Sequence, residues 1–162
     1  KKVQLAEKIT GLRMGPDDAY LVTRGLRTLD VRLDRHQSNA MKVANFLSKH
    51  KKIKILYPFK KGSLDYNLWR KYYKGASGLM GLRIKSKNKN SIKKFVNSLK
   101  LFGYGYSWGG FESLALHQEI VERGFRSYLN LKKDEHIVRL HIGLEDAKDL
   151  IDDLKNAMKY IK

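Results

Sequence analysis

Apolar side chains along this chain switch repeatedly between helical and strand spacing, and each switch predicts an element. From Leu26 to Leu47 the apolar positions Leu26, Leu29, Leu33, Ala40, Val43, Ala44 and Leu47 recur at intervals of three and four, one stripe of a long helix. Before it, GPDDAYLVTRG sets Pro16 in a first helical turn, with Asp17 and Asp18 where the dipole favours acid, and predicts a helix ending near Gly25. Ile53, Ile55 and Tyr57 then alternate as a strand that Pro58 stops. Residues 59–78 are polar and broken by glycines, with a short helix predicted at DYNLWRKYY. Met80, Leu82 and Ile84 alternate again, and Ile92, Phe95, Val96 and Leu99 return to helical spacing. In HIVRLHIG, Val138, Leu140 and Ile142 share one face of a strand, while Ile137, Arg139 and His141 share the other. The final stripe is Leu150, Ile151, Leu154, Ala157, Met158 and Ile161, with Asp146 placed to cap the helix. Strands alternating with amphipathic helices predict an α/β sandwich, one small sheet with helices packed on a face.

Composition narrows the picture. The 162 residues suit one domain, and no run of about 18 apolar residues offers a membrane span. KKVQLAEKIT has no apolar segment of the kind a signal peptide needs. The chain has no cysteine, which excludes disulfides and thiolate metal sites and agrees with a reducing, cytoplasmic setting. His136 and His141 fall on opposite strand faces and no H-E-x-x-H occurs, so no metal site is predicted.

Charge raises a competing idea. There are 34 Lys+Arg against 16 Asp+Glu, a net charge of +18, and basic surfaces bind phosphate by releasing counterions. FGYGYSW also partly mimics the aromatic strand of an RNA-recognition domain. The mimicry fails where the pattern is strict, at Phe102, Ser107 and Gly109. The excess lysines are scattered, as on an ordinary solvated surface. Lys71, beside Tyr72 in RKYY, has the neighbours of a Schiff-base lysine but lies in a polar helix, which marks a surface lysine.

Three ordered segments carry more information than periodicity. GPDDAYLVTRGLRTLDVRLDRHQSNAMKVANFL, GYSWGGFESL and HIVRLHIGLEDAKDLIDDLKNAM together closely resemble the C-terminal part of the pyridoxal-phosphate enzymes of cysteine and methionine metabolism. WRKYYKGASGL between them is also similar. Within that family, the Tyr-Ser-Trp-Gly-Gly form of the loop is most like the bacterial cystathionine β-lyases.

The resemblance implies the small C-terminal domain of a fold-type I pyridoxal-phosphate enzyme. Its sheet would be mostly antiparallel, with helices on one face. Residues 1–25 would be a connecting helix from a large cofactor-binding domain, and 26–162 the small domain. It implies that Arg139 holds the α-carboxylate of an amino-acid substrate, beside Ser107, Trp108 and Tyr106. Arginine suits that task because its planar fork matches a carboxylate and stays charged. Glu112 would tie the loop down, and Tyr104 would pack. The family's Schiff-base lysine has no match in this chain, so no catalytic residue is assigned, nor any contact to the cofactor. The activity implied for the intact enzyme is carbon–sulfur lysis of L-cystathionine to homocysteine, pyruvate and ammonia, a step of methionine biosynthesis, in a homo-oligomer. This chain alone is expected to be inactive. The alternatives are an inactive remnant or assembly module of the same fold, or a basic RNA-binding domain.

If the charge is only a surface coat, RNA should bind weakly, without sequence preference, and release steeply as salt rises. Filter-binding titrations across salt concentrations check this, with Tyr104→Ala and Tyr106→Ala expected to change nothing. Affinity that survives high salt and drops on both substitutions would instead mark a base-stacking surface.

Overall fold

In a computed structural model the chain is described over residues 1–118 and 130–161. It divides into two compact units, Lys1–Arg32 and Leu33–Lys162.

The first unit holds helix α1 (Lys2–Thr10), helix α2 (Pro16–Leu26) and the start of α3 (Leu29–Leu47). Gly11, at φ 65°, closes α1 with its N–H on the Glu7 carbonyl, a left-handed cap that glycine adopts without strain. Pro16 opens α2, with Asp17 and Asp18 in its first turn, as the sequence predicts. None of the first 32 residues is buried. The long helix expected from Leu26 starts three residues later, after a turn in which Arg32 Nη2 donates to the Gly25 carbonyl at 2.6 Å. Its buried stripe begins only at His36 and continues through Asn39, Ala40, Val43, Ala44 and Leu47. Leu29 and Leu33, expected on that stripe, are exposed.

The second unit is built on a five-stranded sheet of order β1-β2-β5-β4-β3. Its strands are β1 (Ile53–Leu56), β2 (Leu79–Lys85), β3 (Gly103–Tyr104), β4 (Leu114–Gln118) and β5 (Glu135–His141). Helix α4 (Tyr66–Tyr72) lies in the β1–β2 connection, and helix α5 (Lys89–Asn97) follows β2. Every pairing is antiparallel except β3 with β4, which run parallel. Leu82 stands opposite both Ile55 and Val138, so the alternating apolar positions of three strands fall on one face. Helices α3, α5 and α6 (Ala147–Ala157) cover that face. The core joins Val43, Leu82, Phe95, Leu140, Leu150 and Leu154, all fully buried. The expected small, mostly antiparallel sheet with helices on one face is therefore present. Among the described residues, no helix is long and apolar enough to cross a membrane.

Caps set the helix starts. Asn88 accepts from the Asn90 N–H at the start of α5, and Asp146 from the Lys148 N–H at the start of α6. Asp153 does similar work across the core. Buried on α6, it accepts from the N–H of Lys100 at 2.9 Å and of Leu101 at 2.9 Å, fixing the chain as it leaves α5 for β3.

Asp153→Ala would leave both N–H groups without that acceptor, and hydrogen bonds of this kind contribute about 1.5–3 kcal/mol. Urea unfolding should show a loss of about 2 kcal/mol with an unchanged m value. A loss under about 0.5 kcal/mol would mean the two donors find other acceptors.

Candidate functional site

Strand β5 carries the chemistry because its side chains alternate. Val138 and Leu140 enter the core, and Arg139 and His141 emerge together on the opposite face. That face is not open to solvent throughout, since Ile137 and His141 are both buried. Segment 105–111 runs across it.

Arg139 Nη2 donates to the carbonyl oxygens of Gly105, Tyr106 and Ser107 at 3.1, 2.7 and 3.2 Å. No carboxylate pairs with this partly buried guanidinium among the described residues, although a cation removed from water ordinarily finds an anion. Nη2 is the prong shared by both two-pronged ways an arginine grips a carboxylate. An incoming carboxylate would therefore take the place of the carbonyl oxygens that now surround it. The guanidinium is thus a cation held by neutral acceptors alone among the described residues.

His141 holds the far end of the same segment. Its Nε2 lies 3.0 Å from the Gly110 carbonyl oxygen and 3.2 Å from the Gly109 nitrogen. Burial pushes the imidazole below its ordinary pKa, partly opposed by the bond to the Gly110 carbonyl. His36 of α3 packs against it with the rings tilted by 47° and their centroids 5.1 Å apart, and reaches the Ile142 carbonyl with Nδ1 at 2.7 Å.

A second set of bonds fixes where β5 ends. Glu145 accepts from both the N–H and the hydroxyl of Ser113, at 2.7 and 2.8 Å, and the Ser113 oxygen accepts from the Gly143 N–H at 2.8 Å. Asn39 Nδ2 donates to the carbonyls of Gly143 and Glu145. Leu144 N–H closes onto the Phe111 carbonyl at 2.8 Å. Gly143 is a glycine because a Cβ there would collide with the Phe111 carbonyl oxygen and the Glu112 backbone.

The residues expected at the site are distributed unevenly. Ser107 is exposed and meets Arg139 through its carbonyl. Trp108 and Tyr106 are exposed on the same segment, at 62% and 76%. Two expectations are corrected. Glu112 is exposed, and no described hydrogen bond uses its carboxylate; Glu145 ties the segment instead. Tyr104 does not pack but is 67% exposed on the edge strand β3. With Tyr106, His117, Gln118 and residues of α5, it lines a cavity of about 410 Å³.

His36, Asn39, Ser113, His141 and Glu145 were not picked out by sequence reasoning. The available signal was a glycine with polar residues two positions away on either side, His141 and Glu145, at the end of the arginine-bearing strand.

The described residues do not supply an anchor for pyridoxal phosphate. No described lysine is buried, and Lys71 is exposed on α4 with Nζ 5.3 Å from the centre of the Tyr72 ring. No group of three metal-ligating side chains converges among the described residues.

Similarity to known proteins runs over the same span. A family model described as Cys/Met metabolism PLP-dependent enzyme matches residues 1–159. An L-alanine/L-glutamate racemase from Wolbachia pipientis wMel is 42% identical over 151 residues, 91% of this chain and 37% of that protein. Cystathionine beta-lyase of Escherichia coli K12 is 38% identical over 149 residues, 90% of this chain and 38% of the enzyme. This chain thus spans well under half the length of either relative. Among solved structures, cystathionine gamma synthase from Xanthomonas oryzae pv. oryzae in complex with cystathionine superposes with a TM-score of 0.80 at 31% identity. The match covers 93% of this chain and 40% of that one. In sequence and in fold alike, the chain belongs to the pyridoxal-phosphate-dependent enzymes of cysteine and methionine metabolism.

Proposed function

We propose that this chain is the C-terminal domain of a carbon–sulfur lyase that cleaves L-cystathionine to homocysteine, pyruvate and ammonia, as a step of methionine biosynthesis. The observation that carries the proposal is Arg139, a partly buried guanidinium whose described partners are all neutral carbonyls. Arg139 binds the substrate's α-carboxylate and so fixes the orientation of Cα. Ser107 borders the carboxylate, and Trp108 and Tyr106 wall the side chain and keep water from it. Pyridoxal phosphate, when bound, supplies the electron sink that makes the Cα proton acidic and the Cβ–S bond breakable. This chain's task is geometric: a carboxylate held at one point on a rigid strand presents the breaking bond in a reactive orientation.

The Schiff-base lysine and the phosphate site would come from a large domain joined through residues 1–25, with 26–162 as the small domain. The surface of the first unit, Lys1–Arg32, suits contact with such a domain. Val3, Leu5, Ile9, Leu12, Leu21 and Leu26 are all more than half exposed, an apolar surface that a larger domain and a second subunit would cover. The same surface suits a homo-oligomer, and the chain alone, with no described lysine buried, is inactive; the intact enzyme is cytoplasmic.

The choice of β-elimination rests on the Tyr-Ser-Trp-Gly-Gly loop and, separately, on the 38% identity to the E. coli lyase. A racemase reading has the 42% identical relative in its favour, and would use Arg139 in the same way. Pyruvate release from cystathionine separates the two.

The test uses the chain joined to its cofactor-binding domain. Arg139→Lys keeps the charge and loses the planar fork. A charge-assisted pair is worth about 1.5–3 kcal/mol, so kcat/KM for cystathionine should fall at least about tenfold. Thermal stability should change far less. Arg139→Ala should be worse, and a substrate blocked at its carboxylate should be indifferent to either change. Full activity in Arg139→Lys would end the assignment.

A further inference from the structure

We infer that His141 is a positioning residue: its imidazole fastens the Gly109–Gly110 end of the loop that Arg139 fastens at residues 105–107, so one strand sets the place of Trp108 between them. The inference rests on the reading of Arg139 as the carboxylate-binding residue.

Arg139 and His141 are two residues apart on one face of β5, the spacing that lets neighbouring side chains of a strand reach the same loop. Arg139 takes three consecutive carbonyls, and His141 takes the Gly109–Gly110 turn. Trp108 lies between the two attachments. No described hydrogen bond uses its indole, and it is 62% exposed. Its location therefore follows from the backbone on either side, and that backbone is held by the two β5 side chains.

Protonation of the imidazole removes one of the two attachments. With its proton on Nε2, it donates to the Gly110 carbonyl oxygen, 3.0 Å away. The Gly109 nitrogen lies 3.2 Å from Nε2 and 3.4 Å from Nδ1, and with Nε2 protonated only Nδ1 can accept from its N–H. The imidazolium has a hydrogen on both nitrogens, which turns that acceptor into a donor facing a donor. The titratable and charged groups facing His141 are His36 of α3, Arg139 on its own strand, and Glu145 beyond the strand's end. The nearest ring is His36. Its Nδ1 bonds the Ile142 carbonyl, and its Nε2 is buried without a hydrogen-bond partner among the described residues. A proton arriving at His141 would thus sit against another imidazole in a desolvated place. Burial already lowers the His141 pKa. The folded chain therefore binds fewer protons than the unfolded chain below pH about 6.5. The stability that the neutral ring supports is complete above that pH and declines as pH falls below it.

The experiment reads the loop directly. The chain has two tryptophans, so Trp69→Phe leaves Trp108 as the sole reporter, and its fluorescence anisotropy follows the loop in this 162-residue chain. At pH 8, His141→Gln, which keeps a donor near Nε2 and cannot titrate, should match the parent, while His141→Leu should lower the anisotropy. Between pH 8 and pH 5 the parent should lose anisotropy and His141→Gln should not. In the enzyme with its cofactor domain, His141→Leu should lower kcat/KM about tenfold, mostly through KM. His141→Gln should stay within about twofold.

Equal anisotropy in His141→Leu and parent would overturn the inference. So would a pH response that persists in His141→Gln. If His141→Leu fails to fold, the pH response of His141→Gln decides alone. If Arg139→Lys weakens kcat/KM and His141→Leu does not, the positioning role fails and the Arg139 reading stands. If neither changes it, the Arg139 reading fails, and anisotropy still judges the loop attachment.

Discussion

The alternation of β5 is the constraint on which the rest of the second unit depends. One strand at the centre of the sheet supplies Val138 and Leu140 to the core and Arg139 and His141 to the opposite face. A shift of one residue in its pairing would bury the guanidinium and expose the leucine, so register and site are specified by the same burial. Antiparallel partners on both sides, β2 and β4, leave the strand no freedom to slide. The placement of Arg139 is thus a by-product of hydrophobic packing on the other side of the sheet.

Much of this was legible from residue spacing. The apolar positions of β2 and β5, the stripes of α5 and α6 and the Asp146 cap all follow from the sequence, because packing and local propensity agree there. Where they disagree, spacing misleads. Leu29 and Leu33 continue the periodicity of α3 yet have no core above them, and burial starts only at His36. Residue spacing gives no sign of helix α1, whose nine residues bury nothing and carry no side-chain cap; the family resemblance implies one connecting helix over 1–25, where the chain forms two, α1 and α2.

The site was legible unevenly for a similar reason. Arg139 could be placed because strand alternation gives its face. The carboxylate that ties the loop could not be placed that way, since Glu112 stands in the loop's own sequence and only the three-dimensional return of the chain brings Glu145 to Ser113. His141 read as an ordinary outward strand residue. Its burial comes from His36, more than a hundred residues earlier in the chain.

The Ile142–Gly143 peptide is enclosed on two sides by backbone. A Cβ on Gly78 would strike the Ile142 carbonyl, and one on Gly143 would strike Phe111 and Glu112. The two glycines act like the jaws of a vice on the end of β5, with no slack for even a methyl group. A substitution at either must push the strand, and Arg139 and His141 move with it. An activity-based mutational scan would therefore rank Gly78 and Gly143 beside Arg139. Their sensitivity would report clearance between backbones, a property that no chemical probe of the pocket would detect.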